Sequence, residues 1–279
     1  MPDIIWRTCM KLLVQSDDYG ITKAQACGAI DGIRNGIIRN TGLFVNMPWS
    51  EECVEMIYPY LEKIAFGIDL NASTGTSLLS HDQMPGLTHE DGTFLTSREN
   101  RMLDTEENGY DHLNYDELYA EFDAQMKRFV SITGRLPDYI HPHAYMTPTT
   151  GLVISDIAKK YGRPYSMEFM KEYYHEEFAK MSWVRKGDPS IQDRSDLKSY
   201  LINDEAGFLK KDVGYLVTHC GYVDSLIMKL SSFNMVRMRD LEALTCDEIK
   251  EWVDSNRIEL VTFNDLRKEI EENENSGIY

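Results

Sequence analysis

Short apolar runs of strand length alternate with segments of helical period from Lys11 to Thr262, and no Pro/Gly/Ser-rich linker or shift in composition divides the series. Parallel strands need a long crossover to return to the same edge, so this alternation points to βα units wound into one sheet. The first unit is the clearest. Lys11 to Gln15 reads as a buried strand that stops at Ser16-Asp17-Asp18-Tyr19-Gly20. Thr22 and Gln25 then stand at capping-box spacing ahead of Ala26, Ile30, Ile33 and Ile37, which share one helical face. Further strands are expected near Gly42 to Asn46, Ile64 to Leu70, Tyr139 to His141, Tyr215 to Thr218 and Ile258 to Thr262. Helices are expected from about Ser50, from an Asn114 cap with Glu117 through about Ile132 to a stop at Gly134, and over about Leu152 to Tyr161. The expected fold is a single α/β domain over residues 1–279. Its strands are fewer than a closed eight-stranded barrel needs, so a distorted (β/α) barrel of the TIM-barrel kind fits as well as a regular one.

Ser73 to Asp111 and Phe169 to Asn203 carry no periodic signal. Long irregular segments in a compact α/β domain usually act as lids or substrate loops, and both would follow strand ends on the C-terminal face. The polar stretch Glu271 to Tyr279 is expected to fray.

Four polar clusters share one placement: Asp17/Asp18, Asp69/Asn71, His141/His143 and His219 each lie at or just past the end of an expected strand. Those ends converge on one face of a parallel barrel, where residues distant in sequence meet. Carboxylates and imidazoles with open water positions suit a divalent cation that polarises an amide carbonyl and lowers the pKa of bound water. Asp17 and Asp18 leave the strand in different directions, so one can take a proton from water while the other holds metal, and His219 can protonate a departing amine. Taken singly, Asp-Asp-Tyr-Gly also reads as an Asx turn, His141-Pro142-His143 as surface histidines, and His219 as a hydrogen-bonded semi-buried ring. Asp69 is harder to dismiss, because a carboxylate inside the apolar run Ile64 to Leu70 needs a charged or metal partner.

Lys+Arg number 29 against 46 Asp+Glu, a formal charge of −17 that repels a phosphate backbone and argues against nucleic acid as a partner. The five cysteines are odd in number and lack CxxC spacing, which suggests neither a disulfide framework nor a thiolate zinc site and fits a reducing cytoplasm. The opening residues show no cleavable leader and no segment is apolar enough to span a bilayer, so no membrane association is expected.

Six blocks, in order, resemble the YdjC-like (ChbG-type) carbohydrate deacetylase family. Gln15-Ser-Asp-Asp-Tyr-Gly20 resembles its N-A-D-D-F-G opening, and Gly67-Ile-Asp-Leu-Asn71 its G-L-H-L-N segment. Met84-Pro-Gly-Leu-Thr88 with Asp91-Gly92 is similar to its long loop, and His141-Pro-His-Ala-Tyr-Met-Thr-Pro148 to H-x-H-V-H-x-x-P. Thr218-His-Cys-Gly-Tyr-Val-Asp224 resembles M-C-H-P-G-x-x-D, and Arg237-Met-Arg-Asp-Leu-Glu-Ala-Leu244 resembles R-x-x-E-L-x-x-L. The resemblance implies hydrolysis of the acetamide of chito-oligosaccharides or related acetylated sugars. It further implies Asp17 as general base, His219 as acid, Asp18, Asp69 and His141 as metal ligands, and Asn71, His143 and Tyr145 as substrate-binding residues.

Three positions depart from that pattern. Asp69 stands where the family has a histidine ligand, Tyr145 where it has the last histidine of H-x-H-x-H, and Cys220 where it has proline. A carboxylate at 69 turns the ligand set toward hard cations, Mg²⁺ foremost with Mn²⁺ or Zn²⁺ also served, or else it marks a non-catalytic or altered sugar-binding relative. Phe94, Tyr110, Tyr174 and Trp183 in the unassigned loops could stack on sugar rings, though such aromatics more often pack a loop onto a barrel. The sequence leaves open the sugar, the native metal and the oligomeric state, a homodimer included.

Overall fold

The computed structural model describes residues 9–276. The expectation of no cleavable leader, read partly from residues 1–8, and that of a fraying tail, as far as it concerns residues 277–279, fall outside the described residues. Among the described residues six strands form one sheet: β1 (Lys11–Tyr19), β2 (Asn40–Leu43), β3 (Ala65–Leu70), β4 (Ile140–Pro142), β5 (Val213–Thr218) and β6 (Glu259–Val261). Every pairing is parallel, in the order β4-β3-β2-β1-β5, and β6 pairs with Lys11 to Leu13 of β1. The sheet curls into a distorted, incomplete (β/α) barrel. Between its edges β4 and β5 irregular chain stands in for strands: Tyr165 bridges to Ile140, and the Ala179 N–H donates to Tyr215 O at 2.8 Å.

Alternate strand residues separate into two buried layers. Leu12 and Val14 of β1, Phe66 and Ile68 of β3, and Leu216 of β5 join the large layer that packs under the helices. Leu13, Ala65, Tyr139, Tyr215, Val217 and Val261 form the other, closed at the strands' N-terminal end by Phe263, Leu266 and Ile270. This is the period-2 alternation of a pleated strand, and it aims residues 13, 15 and 17 of β1, and 65, 67 and 69 of β3, at the barrel interior. Tyr139 packs across Gly67, where a Cβ would lie 2.6 Å from its ring.

The helices are α1 (Lys23–Asn35), α2 (Ser50–Ile57), α3 (Ser97–Leu103), α4 (Tyr115–Thr133), α5 (Pro148–Tyr161) and α6 (Ser166–Tyr174). They continue as α7 (Pro189–Gln192), α8 (Leu197–Ile202), α9 (Ile227–Leu230), α10 (Met235–Thr245), α11 (Asp247–Ser255) and α12 (Phe263–Asn275). Asn114 caps α4 by accepting from the N–H groups of Asp116 and Glu117, and Gly134 ends it in the left-handed region. Thr22 caps α1 as its spacing predicts, but the Gln25 side chain does not return to complete the box. Its amide bridges the Gly20 N–H and Cys220 O, tying the β1–α1 turn to the chain beyond β5.

Three expectations need correction. β2 begins and ends ahead of the expected bounds, overlapping Gly42 to Asn46 only at Gly42 and Leu43, because Asn40 fits a buried strand: its amide donates to Val14 O and Val261 O and accepts from the Phe263 N–H. α12 holds Glu271 to Asn275 in helix, since its Thr262–Asp265 capping box and the buried Phe263, Leu266 and Ile270 anchor the polar end. The unassigned segments contain α3, part of α6, α7 and α8, short helices whose few turns leave little periodicity to read. Among the described residues no helix is long and apolar enough to cross a membrane.

Candidate active site

The interior parity of the strands changes character toward their C-terminal ends. Above Leu13 and Tyr139 the same faces carry Gln15, Asp17 and His141, and Asp69 stands beyond Ala65 and Gly67 on β3. Asp18 has the opposite parity, but the β1–β2 register shifts between Ser16 and Tyr19 and its φ is +66°. A positive φ costs a non-glycine residue conformational energy and persists where the surroundings over-determine it. Here the Asp18 N–H donates to Asp69 Oδ2 at 2.6 Å.

Asp17, Asp18, Asp69 and His141 are all 5 % exposed or less. Burial on this scale is tolerated only with partners. Asp17 Oδ1 accepts from Gln15 Nε2 at 2.5 Å, and its Oδ2 lies 3.1 Å from His141 Nε2. Asp18 Oδ1 meets His143 Nδ1 at 2.7 Å, while its Oδ2 accepts from Arg237 Nη2 at 2.6 Å. Burial alone would push the Asp18 carboxyl up, but the His143 ring and the Arg237 guanidinium together hold it well below the usual carboxylate range. Among the described residues no cation pairs with Asp69. Burial first, then Asp17 and Asp18, push its carboxyl well above the usual range, opposed by the Asp18 N–H, and its Oδ1 has no hydrogen-bond partner. That oxygen occupies the space over Gly42, where a Cβ would fall 1.8 Å away.

The remaining expected residues take up positions around this core. His143 places Nε2 3.2 Å from Thr74 Oγ1 and packs edge-on against Phe44. His219 is held by its backbone, whose N–H donates to Asp240 Oδ2 at 3.0 Å, and its ring lies against Phe233 with Nδ1 unpartnered. Burial lowers the His219 pKa, Arg237 and His143 add to this, and Asp18 and Asp17 oppose it. Asn71 turns inward, bonding Asn46 Oδ1, Thr74 O and the Ser73 N–H. The Tyr145 hydroxyl donates to the Asp104 carboxylate, which also bonds His112, so it fastens the segment after α3 instead of opening toward Asp17.

Two residues of the quoted block Arg237 to Leu244 were given no role by the sequence. Arg237, on α10, is completely buried; its Nε donates to Phe233 O and its Nη1 has no partner. Asp240, one turn further on, accepts from His219 N and Trp183 Nε1, and burial pushes its carboxyl up to about 7. Their i, i+3 spacing on one helix, within the block Arg237 to Leu244, is the pattern that could have announced them.

In donor type the rim suits a hard divalent cation: three buried carboxylates gather there, Asp18 paired with Arg237 and Asp69 Oδ1 uncommitted. As the side chains stand, His141 faces Asp17, and among the described residues no three His, Cys, Asp or Glu side chains converge to hold an ion.

Fold and site together define a distorted (β/α) barrel with an acid- and histidine-lined rim at its strands' C-terminal ends. The chain belongs to the YdjC-like protein family, whose model matches residues 11–255. It is 29 % identical over 262 residues to carbohydrate deacetylase 2 of Listeria innocua, covering 93 % of this chain and all of that protein. It is 28 % identical over 260 residues to a carbohydrate deacetylase of Clostridium beijerinckii, covering 92 % of this chain and all of that one. A crystal structure from Enterococcus faecalis V583, of a protein provisionally named for cellobiose-phosphate cleavage, superposes with a TM-score of 0.74 at 23 % identity. That match covers 92 % of this chain and 99 % of the other, and it supports the fold.

Proposed function

We propose that this protein is a metal-dependent carbohydrate deacetylase that hydrolyses the acetamide of an N-acetylated sugar, a chito-oligosaccharide or a related compound. The observation that carries the reading is the gathering of Asp17, Asp18, Asp69 and His141, all buried, with the half-buried His143 at one end of the barrel, where Asp17 meets His141, Asp18 meets His143 and the Asp18 N–H meets Asp69. The names of the full-length relatives support it.

In this reading Asp18, Asp69 and His141 hold a divalent cation, Mg²⁺ foremost and Mn²⁺ or Zn²⁺ as alternatives. Bound there, the cation would polarise the acetamide carbonyl and acidify water. Asp17 is the general base: the Gln15 amide holds its Oδ1, so the carboxylate is oriented before it meets a water proton. His219, whose Nδ1 is free of protein partners, returns a proton to the departing sugar amine. Water adds to the carbonyl carbon, the C–N bond breaks, and the products are acetate and the free amino sugar. Asn71, His143 and Tyr145 belong to the substrate side of the site in this reading, with Tyr145 acting through the segment it fastens.

One observation favours a second reading, a sugar-binding relative without this activity. Both Asp18 oxygens are already engaged by His143 and Arg237, and the family's histidine ligand is a carboxylate at position 69. Elemental analysis of the purified protein, followed by acetate release from N,N′-diacetylchitobiose with and without Mg²⁺, Mn²⁺ or Zn²⁺, separates the two. Cation-dependent acetate release is expected. A protein that is metal-free and acetate-silent with all three cations contradicts the deacetylase reading.

A further inference from the structure

Past the end of β3 the chain runs irregularly over residues 71–79, and α4 fastens this loop from behind. Leu118, Phe122, Met126 and Phe129 give the inner face of that helix its apolar stripe, yet the buried face also carries Glu121 and Gln125, both 0 % exposed. Gln125 pairs with the Asn71 backbone in both directions, accepting from its N–H at 3.0 Å and donating to its carbonyl at 2.6 Å. It also donates to Glu121 Oε1 at 2.8 Å, and the two Glu121 oxygens accept the N–H groups of Leu78 and Leu79, each at 3.1 Å. Burying a carboxylate costs desolvation energy that such hydrogen bonds offset, so the loop is gripped at both ends.

Between those ends Thr74 is fixed again. Its carbonyl accepts from Asn71 Nδ2 at 2.7 Å and from Asn46 Nδ2 at 2.9 Å, and its hydroxyl lies 3.2 Å from His143 Nε2. Ser73, its neighbour, is 4 % exposed and donates its N–H to Asn71 Oδ1. The Ser73 hydroxyl is uncommitted: Oγ has no hydrogen-bond partner among the described residues, a condition shared at the rim by Asp69 Oδ1, His219 Nδ1 and Arg237 Nη1. Buried polar groups are nearly always satisfied, so an open hydroxyl in a loop held at so many points suits a ligand's polar group. We infer that Ser73 binds a hydroxyl of the sugar, and that Glu121 and Gln125 are the positioning residues that hold its loop in place. A serine hydroxyl both donates and accepts, as a sugar alcohol does. The inference rests on the proposed function, which makes a sugar the ligand at this rim.

Calorimetry and kinetics with N,N′-diacetylchitobiose test it on the full-length protein with Mg²⁺ present, at pH 8, above the value of about 7 to which burial pushes the Glu121 carboxyl. Ser73→Ala is expected to weaken sugar binding about 3- to 10-fold, the worth of one hydrogen bond, and to raise KM alike while kcat is retained. The hydroxyl has no protein partner to lose, so this variant should melt at or above the native temperature. A variant that melts several degrees lower and binds the sugar unchanged overturns the inference, because the hydroxyl then serves the fold. Glu121→Gln keeps the size and turns an NH₂ toward one of the two N–H donors. Hydrogen exchange should quicken over residues 72–80 and not in β1 or β3, and KM should rise with kcat retained. Exchange that quickens throughout the barrel, or a native KM, removes Glu121 as a positioning residue. A native protein that neither binds the sugar nor releases acetate sinks the proposed function and this inference together. One that does both, with Ser73→Ala unaltered in affinity, sinks the inference alone. A protein that binds the sugar through Ser73 and releases no acetate sinks the proposed activity and leaves the inference standing.

Discussion

The two ends of the barrel interior use the same strands and the same parity for opposite chemistry. At the floor, Leu13, Tyr139, Tyr215, Val261 and Phe263 pack against one another in a layer without charge. At the rim, two to four residues further along β1 and β4, the inward positions hold Gln15, Asp17 and His141. Each large floor side chain stabilises the fold by roughly 1.5–3 kcal/mol. The rim buries Asp17, Asp18 and Asp69, of which Asp18 pairs with Arg237, and such a group seldom yields net stability because desolvation offsets the Coulombic gain. Alternation therefore tells where a side chain points, and the change of residue type along one face tells where the fold stops serving itself.

Removing a member from each end sharpens the contrast. Phe263→Ala opens a void in the floor and should lower stability by about 3–5 kcal/mol in denaturant titration, with the kinetic constants of the folded fraction unchanged. Arg237→Met should cost a similar amount, about 3–5 kcal/mol, because it strands the Asp18 carboxylate, and it should also abolish turnover. A floor variant that altered the kinetics, or a rim variant that altered stability alone, would break the division.

The pH dependence of stability should come from the rim and its supports. Burial raises the carboxyls of Asp240 and Glu121 from their ordinary values to about 7. An acid whose folded pKa is raised gives its full contribution below the unfolded value and loses it as pH climbs through the folded one. Melting temperature should thus fall between about pH 4 and pH 7, from the ordinary carboxylate values up to the raised ones, and Asp240→Asn should flatten that slope. A native profile that rises over this window would contradict the assignment.

Asp69→Asn should act with the opposite sign to Arg237→Met. Asparagine can still accept from the Asp18 N–H, and one of three adjoining buried carboxylates is gone, so the metal-free protein should melt higher at neutral pH. Divalent-cation affinity should fall in the same variant, as read by calorimetry. The smallest effect is expected from Tyr145→Phe, which removes the hydrogen bond to Asp104 at about 1 kcal/mol and should quicken proteolysis between α3 and α4.

Much of this architecture was legible because it is local. The Lys11 to Gln15 strand, the Thr22 cap and the Asn114-to-Gly134 helix each declare themselves within a few residues, and the strand-end acids and histidines follow from strand direction. What escaped is non-local or short. Arg237 reaches Asp18 across 219 positions and Tyr215 reaches Gln15 across 200, so no window of sequence contains either pair. Nothing local marks Asn40 as a buried strand residue, because its three partners lie elsewhere in the chain. Tyr145 was read by its place in a motif, and only its contact with Asp104 shows what its hydroxyl holds.

The division of labour between adjacent acids is the centre of the account, and kinetics paired with calorimetry on Asp17→Asn and Asp18→Asn tests it most directly. Asparagine at 17 keeps the shape and removes the proton acceptor, so kcat for acetate release should fall roughly 10²–10⁴-fold while divalent-cation affinity is retained. Asparagine at 18 should lose cation affinity first, with activity partly restored by excess cation. Near-native kcat in Asp17→Asn would contradict the account and pass the role of base to another residue, His143 or His219 being the nearest choices.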